Sequence, residues 1–207
     1  MKRDQARTRL ARRAVVDAAR TLFVDRGYGA TTMEAISELA DVPPATVYRL
    51  FSSKLGILKA LLDISIVGDD DDVPMARRPQ IRSLAGEADP HTVVAGFVGV
   101  IVQVNARVAP LYGVLVGAAG VDPDAAALLD ELTRQRQKGQ RMIARALAGT
   151  LRAGVSEREA ADVIHALLSP ELYRLLAIDR GWKPERYQRW LVQMLTQQLL
   201  SPEHLSP

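Results

Sequence analysis

A short polar set near the N-terminus is the part of this sequence whose residue types could do chemistry. Within residues 44–51, Thr46, Tyr48 and Arg49 carry hydroxyl and guanidinium groups. Such groups donate hydrogen bonds to phosphate oxygens and to base edges. The remaining face of the same segment is apolar and comprises Val47, Leu50 and Phe51. A helix of about two turns with this division of faces is typical of a helix that enters a DNA groove.

A preceding helix and a tight turn must position this segment. Thr31 and Glu34 fit a capping box, so we predict a helix start there. Asp41 is a suitable turn residue, because its short polar side chain tolerates the left-handed conformation. Pro43 and Pro44 end one segment and begin the next. The apolar face of the first helix is predicted to comprise Met33, Ile36, Leu39 and Ala40.

Two further helices flank this pair. The first is predicted from Gln5 or Thr8 to Arg26, with Gly27 as the glycine that ends it. Its buried face has helical spacing: Val15, Ala18, Ala19, Leu22 and Phe23. After Phe51, Ser52 or Ser53 caps another helix with Lys54 in its first turn. Gly56 stands where an acidic capping residue would help, so we predict a loose helix start and a hinge there.

Composition and charge narrow the class of protein. The chain has 207 residues, 48% hydrophobic and 25% charged, and no cysteine, which fits a reducing compartment. Residues 1–63 hold 11 Lys and Arg against 7 Asp and Glu, a net +4, and the remainder holds 16 against 17, a net −1. The basic excess therefore lies with the helix pair, as phosphate binding requires. The N-terminus lacks an apolar signal segment, so we predict a cytoplasmic protein with no membrane partner.

Residues 13–62 resemble the N-terminal domain of the TetR family of bacterial transcriptional repressors. The matching residues are Ala18, Ala19, Leu22, Phe23, Gly27, Thr31, Thr32, Ile36, Ala40, Val42, Ala45 to Tyr48, Phe51, Lys54 and Leu58. The chain departs from the family pattern at Asp41, where glycine is usual, and at Pro43, where a Ser or Thr cap is usual. A missing side-chain cap costs about 1 kcal/mol.

The resemblance implies an all-α protein with two parts. We predict an N-terminal three-helix helix-turn-helix DNA-binding domain at 1–67, with its reading unit at 32–51. A loop or linker at 68–90 connects it to a larger C-terminal helical ligand-binding and dimerisation domain at 91–207. The four aspartates from Asp69 to Asp72 lie in this loop, and they are contiguous rather than spaced as in a calcium loop.

The resemblance further implies a homodimer that binds a roughly palindromic double-stranded operator. We expect Thr46 and Arg49 to read bases, and Thr32, Tyr48 and Lys54 to contact phosphate. The family uses the first-turn lysine, here Lys54, for phosphate. The predicted DNA-binding residues together are Thr32, Pro44, Ala45, Thr46, Tyr48, Arg49 and Lys54.

The C-terminal half contains several apolar segments. Residues 91–105 are predicted to form a buried central helix, Pro110 to begin a short segment, and residues 123–151 to form a long helix. The segments from Ser169, Arg180 and Pro184 are similar to a TetR subgroup common in actinobacteria. The family dimerises through its last two long helices, here residues 156–168 and 185–200. The predicted dimer interface is Val163, Leu167, Trp190, Leu191, Met194 and Leu195.

The family resemblance also implies a small, mostly apolar effector that lowers DNA affinity. Gly96, Gly99, Gly113 and Gly117 are spaced to leave a hollow between helices, although glycines also allow helices to pack closely. The predicted lining of the pocket is Phe97, Ile101, Asn105, Tyr112, Leu115 and His165.

Catalytic and metal chemistry have little support in the sequence. His91, His165 and His204 are far apart, and neither a phosphate-binding glycine loop nor a nucleophile motif is present. We therefore predict no enzyme activity, no metal and no cofactor. The alternative to an effector-released repressor is a ligand-independent DNA-binding or protein-interaction module on the same fold.

Overall fold

The computed structural model describes residues 2–68, 79–84 and 87–204, and this part of the chain is helical without a β-strand. The predicted all-α class is therefore confirmed. The Asp69–Asp72 run lies outside the described residues. The helices are α1 Lys2–Ala30, α2 Met33–Ala40, α3 Pro44–Phe51, α4 Lys54–Val67, α5 Pro79–Leu84, α6 Pro90–Ala119, α7 Pro123–Ala146, α8 Glu157–Leu167, α9 Pro170–Tyr173 and α10 Pro184–Leu199.

The chain forms two compact units. Unit 1 comprises Met1–Ser65 and Pro110–Asp130, and unit 2 comprises Ile66–Ala109 and Glu131–Pro207. The domain ranges predicted from the sequence are consecutive along the chain, so they assign residues 110–130 to the C-terminal domain. As functional domains, the ranges 1–67, 68–90 and 91–207 stay a prediction.

The core of unit 1 begins with the predicted face of α1. Its apolar residues at helical spacing are buried: Val15, Ala18, Ala19, Leu22 and Phe23. The helix breaks at Gly27, whose φ of 77° lies in the left-handed region that glycine adopts without strain. At its other end α1 starts at Lys2, ahead of the predicted start at Gln5 or Thr8.

The core of unit 2 is built around the first part of α6. Its buried residues include Val93, Phe97 and Val98, which pack with α8 and α10 through Ile164 and Tyr187. Residues 91–105 therefore form a buried helix, as predicted.

Helix α6 continues through Pro110, where the sequence predicted a new segment. An interior proline costs about 3 kcal/mol. Burial of an apolar side chain such as Leu111 contributes about 1.5–3 kcal/mol and offsets much of that cost. Helix α6 has 30 residues, and an 18-residue window within it has a mean hydropathy of 1.6, so it is long and apolar enough to cross a membrane by length and composition alone. Half of that window is buried inside the protein. Such burial is typical of a core helix.

Candidate nucleic-acid interface

Two adjacent threonines have different structural roles at the start of α2. Thr32 is the N-cap, and its Oγ1 accepts a hydrogen bond from the Ala35 backbone N–H at 3.1 Å. Thr31 is buried instead, and its hydroxyl lies 3.2 Å from the Leu22 carbonyl and 2.8 Å from the Gly27 carbonyl. The predicted capping role of Thr31 is therefore wrong by one position. Because Thr32 accepts rather than donates, its hydroxyl hydrogen stays available to a phosphate.

The turn between α2 and α3 has the predicted left-handed residue. Asp41 has φ 52° and ψ 43°, and its N–H bonds back to the Glu38 carbonyl. Buried Ser37 closes the same turn, because its hydroxyl donates to the Val42 carbonyl at 2.5 Å. The Val42 N–H bonds in return to the Ser37 carbonyl at 3.1 Å. In the sequence, this role of Ser37 is indicated by nothing more than its position before the turn.

The exposed face of α3 carries most of the predicted DNA-binding residues. Val47 and Phe51 are buried and fix the helix on unit 1, while Leu50 is half-buried. Pro43 gives α3 no side-chain cap, as predicted, and the N–H groups of Thr46 and Val47 bond to its carbonyl. Thr46 is half-buried. The residues that α3 exposes are Pro44, Ala45, Tyr48 and Arg49.

Tyr48 links the exposed face of α3 to α2. Its side chain is 46% exposed, and its hydroxyl donates to Glu34 Oε1 at 3.4 Å. The bond is long and exposed, so the phenol can exchange this acceptor for another. Tyr48 therefore lies where its hydroxyl can reach outward from the helix pair.

The ammonium group of Lys54 is held by backbone carbonyls within unit 1, and its predicted phosphate contact stays a prediction. Its Nζ donates to the carbonyls of Tyr28 at 2.7 Å and Thr31 at 2.8 Å, and it lies 4.2 Å from the centre of the Tyr28 ring. Burial lowers the pKa of this ammonium group from its usual value. Two of its three N–H donors thus hold the end of α1.

The start of α4 is tightly packed. Ser53 caps it by accepting from the Gly56 N–H at 3.0 Å. A Cβ at Gly56 would lie 2.1 Å from the Phe51 carbonyl oxygen, far inside van der Waals contact. The start of α4 is therefore capped and closely packed rather than loose, because glycine lets the backbones at the end of α3 and the start of α4 approach closely. The hinge at Gly56 stays a prediction.

Arg12 adds a cation beside the reading unit. Its guanidinium lies 4.7 Å from the centre of the Phe51 ring, at the end of α3. The side chain is exposed. Its place beside the reading unit follows from the packing of α1, which helical periodicity does not reveal.

Tyr28 ties the end of α1 to the loop before α7 within unit 1. Its hydroxyl donates to Asp122 Oδ2 at 3.4 Å, and its ring stacks on Phe23 with centroids 5.8 Å apart. Burial and the neighbouring Asp122 carboxylate raise the pKa of Tyr28 to about 12. The other Asp122 oxygen accepts from the backbone at the start of α7.

The predicted effector-pocket residues fall in both units. In unit 2, Phe97 is in the core, Ile101 packs against it, and Asn105 Nδ2 donates to the Leu168 carbonyl at 3.2 Å. His165 Nδ1 lies 2.8 Å from Oε1 of Gln140, and burial followed by the Arg136 guanidinium lowers the pKa of His165. Tyr112 and Leu115 are buried in unit 1. The pocket stays a prediction.

Two cavities lie elsewhere in the described residues. The unit 1 cavity has about 460 Å³ and a mostly apolar lining that includes Phe23, Tyr28, Gly113 and Gly117. The unit 2 cavity has about 690 Å³ and is lined by His91 and mostly polar residues of α10. Both cavities open widely to solvent. None of the six predicted pocket residues lines either cavity.

The four glycines of α6 differ in their surroundings. A Cβ at Gly96 would lie 2.6 Å from a Leu84 methyl group, and one at Gly99 would lie 3.3 Å from the Gln188 amide. These two glycines allow close packing. Gly113 and Gly117 instead have open space where a Cβ would be.

The predicted dimer-interface residues divide into two groups. Leu191 and Leu195 are 0% and 2% exposed and belong to the core of unit 2. The other four, Val163, Leu167, Trp190 and Met194, are half-buried. The apolar face of α10 therefore packs partly in the core of its own unit.

Within the described residues, no group of three or more His, Asp or Glu side chains is placed to hold a metal ion.

Known DNA-binding regulators are similar in sequence to this chain, most closely over the helix-turn-helix region. Residues 15–61 match the family model of bacterial regulatory proteins of the tetR family. YvkB of Bacillus subtilis (strain 168), an uncharacterised HTH-type transcriptional regulator, is 48% identical over 48 residues, which cover 23% of this chain and 25% of YvkB. YdeS of the same organism, described in the same words, is 27% identical over 182 residues, 84% of this chain and 83% of YdeS.

Solved structures extend the likeness of fold to the whole chain. The structure of SmeT with triclosan superposes with a TM-score of 0.72 at 18% identity and covers 95% of both chains. SmeT is the repressor of the Stenotrophomonas maltophilia multidrug efflux pump SmeDEF. At that identity the similarity shows a shared fold only.

The fold and the outward face of α3 define a helix-turn-helix DNA-binding protein. Residues 15–61 match the DNA-binding domain of the tetR family of bacterial regulatory proteins, and the two curated relatives are both described as HTH-type transcriptional regulators.

Proposed function

We propose that the protein is a homodimeric repressor in the bacterial cytoplasm that binds a roughly palindromic operator. The observation that carries this proposal is the outward face of α3, with Tyr48 and Arg49 exposed over buried Val47 and Phe51. In a symmetric dimer two copies of α3 enter successive major grooves when they lie about 34–36 Å apart.

The residues of the interface take different roles. Arg49 is the proposed base reader, since a guanidinium can bind guanine through two hydrogen bonds. Thr46 is half-buried and contributes to reading through its hydroxyl. Thr32 and Tyr48 are proposed to contact phosphate and set the register of α3. Lys54 supports the end of α1, so its contribution to DNA affinity is indirect.

The test begins with operators selected from random duplexes by the purified protein. Arg49→Ala is then measured on the selected operator and on single-base variants. Arg134→Ala is the control, because Arg134 is an exposed arginine of α7 paired with Glu131 at 2.9 Å. We expect Arg49→Ala to lose about 1–3 kcal/mol of discrimination at one position per half-site. Uniform weakening across all duplexes would reject the reading role of Arg49.

The homodimer is proposed to form through α8 and α10. The half-buried residues Val163, Leu167, Trp190 and Met194 are available to a partner copy, whereas Leu191 and Leu195 are not. A charge placed in a dimer interface is desolvated at a high cost. We therefore expect Leu167→Glu to convert the dimer to a monomer in light scattering, and Ala166→Glu, at an exposed neighbouring position, serves as the control. A dimer that persists in Leu167→Glu would place the interface elsewhere.

We further propose that a small, mostly apolar effector releases the DNA. SmeT has been solved with triclosan, and a regulator of similar fold from Saccharomonospora viridis has been solved with choline. These two complexes support a small-molecule effector without identifying its chemistry here. The unit 1 cavity beside Gly113 and Gly117 is the proposed site, because its lining is mostly apolar and its volume of about 460 Å³ lies in the usual range of about 300–1,000 Å³ for ligand pockets.

Filling the cavity tests this site. Gly113→Leu places a side chain in open space, so we expect operator binding to persist and release by a screened effector to be lost. Phe97→Ala tests the rival pocket predicted from the sequence. Loss of release only in Phe97→Ala would favour that pocket. A screen in which no compound releases the operator would favour a ligand-independent DNA-binding or interaction module.

A further inference from the structure

Helix α1 extends well beyond the core that anchors it. From residue 5 onwards, the first buried residue of this helix is Val15, and residues 5–10, Arg12 and Arg13 are all exposed. At about 1.5 Å per residue, the helix continues for roughly 20 Å ahead of Val15. We name residues 5–13 the basic arm. An isolated helical segment of this length is marginally stable in water.

The like charges of this segment destabilise its helix. Residues 2–14 contain six Lys and Arg and one acidic residue, Asp4. Arg9 and Arg13 are four residues apart on one face, and like charges at that spacing destabilise a helix. Asp17 lies 3.9 Å from Arg13, but both side chains are largely exposed, so water screens the pair. An external polyanion would remove this repulsion.

One face of the basic arm is turned towards the reading unit. Arg12 lies over the ring of Phe51, the last residue of α3. Arg9, Arg12 and Arg13 share a face, because they stand at i, i+3 and i+4. Arg7 lies about 200° around the helix from Arg9. The basic face therefore borders the helix that is proposed to enter the major groove.

We infer that the basic arm binds backbone phosphates beside the major groove that α3 enters, with Arg9 and Arg13 as additional contacts. This inference rests on the proposed operator binding. A helix is too wide to thread a minor groove as an extended arm does, so it lies along the backbone and carries no base readout. An anionic membrane is the weaker partner, since Leu10 is the only large apolar residue in the arm.

Salt dependence of binding measures these contacts. Each phosphate contact adds about 0.9 to the slope of log affinity against log salt concentration. We expect Arg9→Ala to lower the slope by about 0.9 and Arg9→Ala with Arg13→Ala by about 1.8, on the selected operator and on an unrelated duplex alike. Arg9→Lys should keep the slope. Arg7→Ala is the matched control, with the same loss of charge on another face, and should leave the slope nearly unchanged.

The outcomes separate this inference from the proposed function. An unchanged slope in Arg9→Ala, or an equal fall in Arg7→Ala, would overturn it. A salt slope that falls on the selected operator but not on the unrelated duplex would also overturn this inference, because such a difference would indicate base readout. Binding of the wild type to phosphatidylglycerol vesicles that Arg9→Ala abolishes, with an unchanged DNA slope, would assign the arm to membranes. If no operator can be selected but binding to any duplex shows the expected salt slopes, phosphate binding by the basic arm is supported and the proposed operator binding is rejected. Circular dichroism confirms that each variant is folded.

Discussion

The ammonium group of Lys54 provides a prediction that separates a structural role from a phosphate contact. Lys54→Met keeps most of the stem and removes the donors that bind the Tyr28 and Thr31 carbonyls. A hydrogen bond to a charged group contributes about 1.5–3 kcal/mol when it is well shielded. Lys54 is only half-buried, so water can replace part of both bonds. We therefore expect a total loss of about 2 kcal/mol in the free energy of unfolding, near the lower end of that range.

The control for this change lies on the same helix. Lys59 pairs with Asp63 at 2.9 Å, and both side chains are more than half exposed. Exposed ion pairs contribute about 0–1 kcal/mol, so Lys59→Met should change stability little. For a chain of 150–250 residues, 1 kcal/mol corresponds to about 2–4 °C in Tm. The expected fall for Lys54→Met is therefore about 4–8 °C.

Denaturant unfolding and operator binding are measured on both variants. The account requires that Lys54→Met lowers stability, and that its salt slope of DNA binding stays near that of the wild type. A variant of wild-type stability whose salt slope falls by about 0.9 would refute the reasoning, because that is the behaviour of a direct phosphate contact.

Two further predictions follow from the packing and the pKa values. Gly56→Ala should destabilise the protein by about 1–3 kcal/mol in denaturant unfolding, since its Cβ overlaps the Phe51 carbonyl oxygen. Gly139→Ala, in open space on α7, should instead stabilise it by up to about 1 kcal/mol, and equal stability of the two variants would contradict the close approach. Because burial and the Arg136 guanidinium lower the pKa of His165, the stability it contributes is present above pH 6.5 and is lost as the pH falls through its folded pKa. His165→Gln should flatten this loss between pH 7.5 and pH 5, and unchanged curves would contradict the environment described.

Local sequence rules predicted the reading unit well. The residue types of the turn and the spacing of Val47 and Phe51 follow from backbone conformation and helical period, so α2, Asp41 and α3 lie where expected. At the start of α8, Ser156 and Glu159 have the spacing of a capping box, and both of its reciprocal hydrogen bonds are present. These features depend on neighbours within a few residues, which a sequence displays directly.

Features that depend on distant neighbours were not predictable in the same way. Thr31 and Thr32 are both plausible caps, and the choice depends on carbonyls of α1 that only packing brings near Thr31. The partners of Lys54 are 26 and 23 residues away in sequence.

The spacing of apolar residues on a helix also does not show whether they pack in their own core or against a partner chain. Leu191 and Leu195 have the spacing of an interface, yet they pack in the core of their own unit. For the same reason, the apolar character of Phe97 and Leu115 does not show that they lie in different units.

Helix α3 is proposed to enter the major groove twice in a symmetric complex, and DNA cleavage from a unique cysteine on α3 locates both copies. The chain has no cysteine, so Ala45→Cys, at an exposed position of α3, can carry a DNA-cleaving reagent at one defined site. Ala153→Cys, at an exposed position of unit 2, is the control. The account predicts cleavage of the operator at two positions related by its symmetry, about one helical turn of DNA apart or a multiple of it, from Ala45→Cys alone. Cleavage at a single position, or equal cleavage from both variants, would contradict it.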